Sequence, residues 1–197
     1  MSNAILTEEI SRNIIVRFNR PEIRSPLSIA VLEDLRKIVD AIGTRDDIDA
    51  LIFTGVGNVF ASGADLREIA GIETEGAHAF ALRGQELMRR ISELPVITIA
   101  AVNGICFGGA LDLALACRYR IASPDAVFSH PGADLGIITG WGGTQRLPRL
   151  VGEGIALEMF FCAKRMTADE ALGVGLVERV VTDPLESALN FRDAVNL

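Results

Sequence analysis

Residues Val96 to Cys117 read VITIAAVNGICFGGALDLALAC, and this stretch decides the fold class. Its first seven residues have no polar face apart from Thr98, which predicts a strand covered on both sides, as in a parallel sheet. A glycine-rich loop follows and opens directly into a predicted helix, ALDLALAC. A buried strand, a glycine turn and a helix in this order indicate an α/β layered fold.

The same alternation runs through the rest of the 197 residues. Strands are predicted at NIIVRF (Asn13 to Phe18) and at DALIFTG (Asp49 to Gly55), with a helix between them that Ser28 caps and Gly43 ends. A second helix is predicted from about Gly76 to Leu94. Further predictions are short strands at YRIAS and AVF, a helix with a capping box over Thr167 to Glu170, a last strand GLVERVV and a terminal helix that begins at Pro184.

Composition narrows the class of protein. The formal net charge is −7 and the basic residues form no run, so we expect neither nucleic-acid nor membrane binding. Three cysteines in apolar contexts, without a C-x-x-C pair, indicate buried free thiols in a reducing compartment. Two histidines argue against a histidine-rich metal site. The first residues do not resemble a signal peptide and no apolar run is long enough for a bilayer, so we expect a cytoplasmic protein.

Two glycine-rich loops each follow a predicted strand: TGVGNVFASGADL begins at Thr54, and NGICFGGALD comes directly after Val102. Both place glycine before a predicted helix start, where free backbone N–H groups form a partly positive site. Two such loops that meet at one point would hold a developing oxyanion between two N–H groups. Taken singly, each loop is better explained as a tight turn, and neither has the phosphate-loop or dinucleotide-binding pattern.

Five segments, taken in order, make the chain resemble the crotonase superfamily, the enoyl-CoA hydratase and isomerase group. They are RPEIRSPLS, FASGADLREI (Phe60 to Ile69), AAVNGICFGGALDLALACRYRIAS (Ala100 to Ser123), GIITGWGGTQRLPRLVG (Gly136 to Gly152) and ADEALGVGLVERVV (Ala168 to Val181). The resemblance implies the superfamily's spiral of ββα units with a largely parallel sheet, as an acyl-CoA-binding core over residues 1–182. It also implies that residues 183–197 begin a C-terminal helical module that is otherwise mostly absent.

The resemblance further implies a site. Members of the superfamily bind acyl-CoA thioesters and stabilise an enolate-like oxyanion with two backbone N–H groups, which fall here on Ala64 and Gly109. Coenzyme A would be part of the substrate, so no separate cofactor and no metal are expected. Arg24 is almost as well explained as a solvated surface residue, and Asp65 as a helix cap. The residues expected to contact the acyl-CoA are Arg24, Ala61, Ser62, Gly63, Ala64, Asp65, Leu66, Gly108 and Gly132.

The acids are where the sequence departs from the superfamily. Its hydratases use two glutamates: the first aligns with Asp112, one methylene shorter, and the second aligns with Gly132. Asp112 has apolar neighbours, so we expect a raised pKa; as an alternative, it satisfies N–H groups at a helix N-terminus. His130 and Asp134 flank Gly132 at two residues' distance and would share its face in an extended segment. His130 is the second candidate acid or base, or else a hydrogen-bonded wall residue.

The sequence therefore favours an enoyl-CoA hydratase/isomerase-like enzyme in which one acid–base group moves a double bond beside the oxyanion hole. Two alternatives stay open: a non-catalytic acyl-CoA binder or interaction subunit, and a thioester hydrolase or C–C lyase that uses His130. The resemblance also implies a homo-oligomer, a trimer or hexamer, which the short tail weakens. Apolar residues of the last helix would pack on a neighbouring subunit, namely Leu189, Phe191 and Val195.

Overall fold

The strands of the computed structural model, which describes residues 3–191, alternate between two sheets. In chain order they are β1 (Ile5–Ile10), β2 (Asn13–Phe18), β3 (Ala50–Gly55), β4 (Val59–Ala61), β5 (Ile97–Val102), β6 (Ile105–Phe107), β7 (Tyr119–Ala122), β8 (Val127–Ser129), β9 (Met166–Thr167) and β10 (Arg179–Val180). The larger sheet has the order β1-β2-β3-β5-β7-β10, and the smaller sheet has the order β4-β6-β8-β9.

Eight α-helices connect and cover these sheets within the described residues. They are α1 (Ile29–Ile42), α2 (Leu66–Ile69), α3 (Thr74–Glu93), α4 (Gly109–Ala116), α5 (Gly143–Val151), α6 (Glu153–Phe161), α7 (Ala168–Gly173) and α8 (Pro184–Leu189). Two short 3-10 helices, Pro21–Ile23 and Pro131–Leu135, complete the set. None of the helices within residues 3–191 is long and apolar enough to cross a bilayer.

The chain repeats one local pattern three times. β3, β5 and β7 enter the larger sheet, and the strand after each of them, β4, β6 or β8, enters the smaller one. Neighbouring strands are parallel except for two antiparallel pairs, β1 with β2 and β8 with β9. Helical segments follow each pair of strands, so the predicted α/β spiral of ββα units is present. The carboxyl ends of β4, β6 and β8 therefore meet along one edge, where loops can converge on a ligand.

The predicted helix ends are confirmed by their capping contacts. The Ser28 hydroxyl accepts a hydrogen bond from the backbone N–H of Val31 at 3.3 Å, and Gly43 is the C-terminal cap of α1. Thr167 and Glu170 form the predicted reciprocal capping box of α7. These contacts satisfy helix-end donors and acceptors that have no partner within the helix, which explains why the local sequence identified them.

Three predictions about strands and thiols were incomplete or wrong. The segments predicted as loops contain the three-residue strands β4 and β6, which are too short to show an alternating pattern. The last strand is only Arg179–Val180, because the backbone N–H groups of the preceding Leu176 and Val177 donate to the Ala171 carbonyl of α7 instead of to a neighbouring strand. Cys162 is exposed, whereas the other two thiols are buried as expected.

The end of the described chain packs back onto its own sheet. α8 contacts β3, β5 and β7, and the ring centroids of Phe191 and Tyr119 lie 4.4 Å apart. Phe191 is only 3% exposed and Leu189 is half-buried, so the prediction that these two residues are free to cover a neighbouring subunit is wrong. Val195 lies outside the described residues.

Arg120 joins the end of α4 to the last strand, and its replacement is expected to destabilise the fold. The buried guanidinium donates from Nε to the Leu176 carbonyl at 2.7 Å and from Nη1 to the Cys117 carbonyl at 2.8 Å, and it pairs with Glu178. Arg120→Met leaves these acceptors without donors, so we expect a loss of about 3 kcal/mol of unfolding free energy. Urea unfolding measures it, with the exposed neighbour Arg118→Met as the control.

Candidate active site

A cavity of about 720 Å³ opens at the carboxyl ends of β4, β6 and β8. Its wall includes Ser62 and Ala64 from the loop after β4, Gly108 and Gly109 after β6, and His130 after β8. The volume is in the range of small-molecule sites, and most of the other lining residues are apolar. Convergence of three loops on one cavity indicates a ligand site.

The two glycine-rich loops contact each other at this wall. Gly63 has a φ of +88°, and a Cβ added to it would lie 2.6 Å from the Phe107 carbonyl oxygen and 2.8 Å from the Gly109 nitrogen. The Gly63 carbonyl accepts a hydrogen bond from the backbone N–H of Leu27 at 2.7 Å, which holds the loop in place. Only glycine combines this conformation with so close an approach. Ala64 and Gly109 are thereby brought to the same wall of the cavity.

Asp112 lies one turn into α4 and is fully buried. Its Oδ2 accepts hydrogen bonds from the Thr139 hydroxyl and, at 3.2 Å, from the backbone N–H of Trp141. Its Oδ1 lies 3.6 Å from Nε2 of His130. Thr139, Trp141 and His130 all line the cavity and Asp112 does not, so the carboxyl group reaches a ligand only through these neighbours.

Burial shifts the two ionisable groups in opposite directions. It raises the pKa of Asp112 to about 7, against the hydrogen bond from Thr139, and it lowers the pKa of His130 to about 4. At neutral pH the imidazole is therefore uncharged, and its contact with Asp112 is not an ion pair. Within the described residues, Oδ1 of Asp112 and Nε2 of His130 are both buried without a hydrogen-bond partner. At 3.6 Å they lie just beyond hydrogen-bond distance, and an approach of a few tenths of an ångström, on the order of the excess over that distance, would let one proton bridge them.

The pair predicts opposite pH trends in its two single variants. In His130→Gln the buried Asp112 keeps a proton that the unfolded chain releases, so stability falls as pH rises from 3.8 to about 7. In Asp112→Asn the unfolded chain gains a proton that buried His130 refuses, so stability falls as pH drops from 6.5 to about 4. Each slope approaches about 1.4 kcal/mol per pH unit, and in the wild type the two oppose each other. Urea titrations at several pH values measure them; parallel curves for both variants would contradict the assignment.

Most of the predicted site residues (contact, oxyanion and catalytic) line the cavity, and three do not. Arg24, Ser62, Ala64, Asp65, Leu66, Gly108, Gly109, His130 and Gly132 form part of its surface. Ala61, Gly63 and Asp112 are buried behind it. Asp65 also caps α2 through the backbone N–H of Arg67 at 3.0 Å and pairs with that guanidinium, as the cap interpretation expected.

Sequence reasoning missed the far side of the cavity. Thr139 and Trp141 come from the stretch before α5, and α3 contributes Ala77, Phe80 and Ala81. The signal for Trp141 was present, since it is the only tryptophan of the chain and it lies in the segment that carries the family resemblance. Its role was not visible because the glycines that contact it are distant in sequence.

The segment around Gly132 differs from the extended one predicted. It forms the 3-10 helix Pro131–Leu135, so Asp134 does not share the face of His130; Asp134 is exposed and does not line the cavity. A Cβ added to Gly132 would lie 2.5 Å from the Ile137 carbonyl oxygen. The backbone thus leaves no room for a side chain at the position where the resemblance places the second hydratase glutamate.

No group of three or more metal-ligating side chains occurs within residues 3–191. The charged groups of the lining are the exposed Arg24 and the pair of exposed Arg67 with buried Asp65. The described site thus offers backbone N–H groups, one imidazole backed by a carboxyl group, and apolar walls.

Comparison with known proteins gives consistent matches. The enoyl-CoA hydratase/isomerase family model matches residues 9–189. Short-chain-enoyl-CoA hydratase of Clostridium acetobutylicum is 37% identical over 195 residues, which cover 98% of this chain and 74% of that protein. Crotonyl-CoA hydratase of Syntrophomonas wolfei is 38% identical over 178 residues, or 90% and 68% of the two chains.

Solved structures agree with these sequence matches. The enoyl-CoA hydratase from Bacillus anthracis superposes with a TM-score of 0.92 at 36% identity, over 98% of this chain and 76% of that one. DspI of Pseudomonas aeruginosa gives a TM-score of 0.93 at 35% identity, over 99% and 81%. The predicted fold class is confirmed by these superpositions. With nearly the whole chain matched by one family model and by relatives of that family, this chain belongs to the enoyl-CoA hydratase/isomerase family.

Proposed function

We propose that the chain moves the double bond of an acyl-CoA thioester through an enolate held by the backbone N–H groups of Ala64 and Gly109. The observation that carries the proposal is the contact between the two glycine loops, with Gly63 set directly against the backbone of Phe107 and Gly109. Gly109 is the first residue of α4, where backbone N–H groups have no acceptor within the helix. Both residues line the same cavity, so one thioester oxygen can face both donors.

Two fixed donors suit the charge that forms when a proton leaves the carbon beside a thioester carbonyl. The negative charge collects on oxygen, and donors that the fold already holds in place stabilise it without reorganising. One such donor contributes about 3 kcal/mol in enzymes where it has been removed.

Proton transfer is assigned to His130, with Asp112 acting behind it. When the shared proton sits on Nε2, the other ring nitrogen is free to accept a proton from the substrate's α-carbon. The Asp112 carboxylate then faces the imidazolium that forms and stabilises it. Delivery of a proton from the imidazolium to the γ-carbon completes the shift of the double bond from the 3,4 to the 2,3 position and restores the pair. The uncharged state of the buried imidazole at neutral pH suits its role as the base.

Isomerisation is favoured over hydration because it needs only one proton-transfer group. Hydration needs a second group to activate water, and Gly132 has no side chain and no space for one.

Incubation with 3-hexenoyl-CoA in deuterated water tests the proposal. We expect the ultraviolet absorbance of the conjugated 2-enoyl thioester to appear, together with deuterium at the α- or γ-carbon. A saturated acyl-CoA should exchange its α-protons without net reaction. If neither exchange nor isomerisation occurs although the ester binds, the chain is a binder; release of free thiol would instead identify a hydrolase.

Hydration is a second candidate, because relatives at 37 and 38% identity are named hydratases. His130 would then activate water, and Asp112 would supply the proton through it. Addition of 2-butenoyl-CoA distinguishes the two reactions: a hydratase removes the conjugated absorbance and forms a 3-hydroxyacyl-CoA, whereas an isomerase without hydratase activity leaves it unchanged.

A further inference from the structure

We propose that Trp141 closes the acyl end of the cavity and restricts this chain to short acyl groups. The inference rests on the proposed function, since it concerns the substrate of the same site. It assigns a specificity-determining role to one residue.

Exposure distinguishes the open parts of the cavity lining from the covered parts. The lining residues Leu135 and Ile138 are 53% and 55% exposed, so they belong to the open part. Trp141 lines the same cavity and is only 3% exposed. The indole therefore belongs to the covered part of the cavity wall, and Phe80 extends this aromatic surface with a ring-centroid distance of 5.6 Å.

Two glycines fix the position of the indole. A Cβ added to Gly84 of α3 would overlap the five-membered ring, and a Cβ added to Gly109 would overlap the six-membered ring. The backbone N–H of Trp141 is also bound to Asp112 at 3.2 Å. The ring is held on both sides and at its own backbone, so it cannot swing away to admit a longer ligand without moving a helix.

Gly84 indicates that helix α3 is adapted to the indole of Trp141. It lies in the middle of the 20-residue helix α3, where glycine costs about 1 kcal/mol relative to alanine. The three nearest neighbours of a Cβ at this position would all be atoms of Trp141. Glycine is disfavoured inside a helix, and the space that the indole needs is the structural reason for it at position 84.

The indole stands directly beside a proposed oxyanion donor. Its six-membered ring contacts Gly109, whose N–H is assigned to the thioester oxygen. Acyl carbons beyond that carbonyl enter a space bounded by Trp141 and Phe80 after a short distance. A chain that exceeds this space must displace the indole, whereas removal of the ring opens room for additional methylenes, each of which is worth about tenfold or more in selectivity.

Calorimetric binding of butanoyl-, hexanoyl-, octanoyl- and decanoyl-CoA to the wild type and to Trp141→Ala tests the inference without requiring turnover. We expect wild-type affinity to be highest for the two shorter esters and to fall for the longer ones. Trp141→Ala should gain about tenfold or more in affinity for octanoyl-CoA relative to butanoyl-CoA. The smaller change Trp141→Phe, which keeps a ring, should give an intermediate profile. It still tests the inference if Trp141→Ala does not fold.

Fluorescence adds an independent readout, because Trp141 is the only tryptophan of the chain. Butanoyl-CoA should change its emission in the wild type, and coenzyme A without an acyl group should change it much less.

Phe53→Leu is the matched control for the calorimetric experiment. Phe53 is a fully buried core aromatic that does not line the cavity, so its loss should lower stability without altering the chain-length profile.

The outcomes separate the two proposals. A wild type that binds decanoyl-CoA as well as butanoyl-CoA, or an unchanged profile in both Trp141 variants, overturns the role of Trp141 and leaves the proposed function intact. Failure of every acyl-CoA to bind the wild type overturns both.

Discussion

His130→Ala is expected to lower the rate of double-bond isomerisation and of α-proton exchange about 10²- to 10⁴-fold, the range typical for loss of a general base. The imidazole lines the cavity and is uncharged at neutral pH, and the carboxyl group behind it does not reach the lining. Binding of acyl-CoA should change little, because the thioester oxygen is held by backbone groups. Deuterium exchange of a saturated acyl-CoA, followed by mass spectrometry, measures the effect.

Three further variants make the result specific. Asp112→Asn should also reduce exchange strongly, and the double variant should lose little more than His130→Ala, since two residues that act as one unit are not additive. His78→Ala is the control, because His78 is the other histidine, exposed on α3. Normal exchange in His130→Ala with loss only in Asp112→Asn would show that the carboxyl group acts without the imidazole.

Gly63→Ala is expected to lower kcat about 10²- to 10³-fold, as removal of an oxyanion-hole donor does elsewhere. The added methyl group would lie 2.6 Å from the Phe107 carbonyl oxygen, so the two loops must separate and the N–H groups of Ala64 and Gly109 move apart. The loss should appear in kcat rather than in KM, because the donors matter most when the oxygen carries charge. Steady-state kinetics on 3-hexenoyl-CoA measures it.

Gly57→Ala is the control that distinguishes the collision between the two loops in Gly63→Ala from the strain of a positive φ alone. Gly57 also has a positive φ, +63°, but a Cβ there would have nothing within 4 Å. This variant should lose about 1–2 kcal/mol of stability from the unfavourable φ and keep its kcat. Equal kcat losses in both variants would indicate a general effect of strain and would remove the support for an oxyanion hole between the loops.

The sequence was sufficient for the fold because each local signal agrees with the tertiary arrangement. Val96–Cys117 combines a strand without a polar face, a glycine turn and a helix, and its buried strand does lie inside a parallel sheet as β5. The caps at Ser28 and Thr167 depend only on residues three positions away, so they too were readable. β4 and β6 were missed because three residues are too few for a pattern, and their strand state depends on pairing across the sheet.

The site was predictable only in part, for a physical reason. Residues that follow strand ends, such as Ala64, Gly109 and His130, are placed by the topology. The resemblance identified the first two, and His130 was proposed from its position two residues before Gly132. The contacts of Asp112 with Thr139 and Trp141 span 27 and 29 residues, and the fit of Trp141 against Gly84 spans still more. Such contacts depend on how α3, α4 and the segment before α5 pack together, which no local pattern encodes.

The turn that closes at Gly132 has a consequence for engineering. The backbone N–H of Ile137 donates to the Gly132 carbonyl at 2.9 Å, and the Ile137 carbonyl occupies the space of the missing side chain. A glutamate introduced there alone would have to break open this turn before it could reach the cavity. Conversion of this scaffold to a two-acid enzyme therefore calls for redesign of the whole 132–137 segment, whereas restoring a single side chain should not add a second acid.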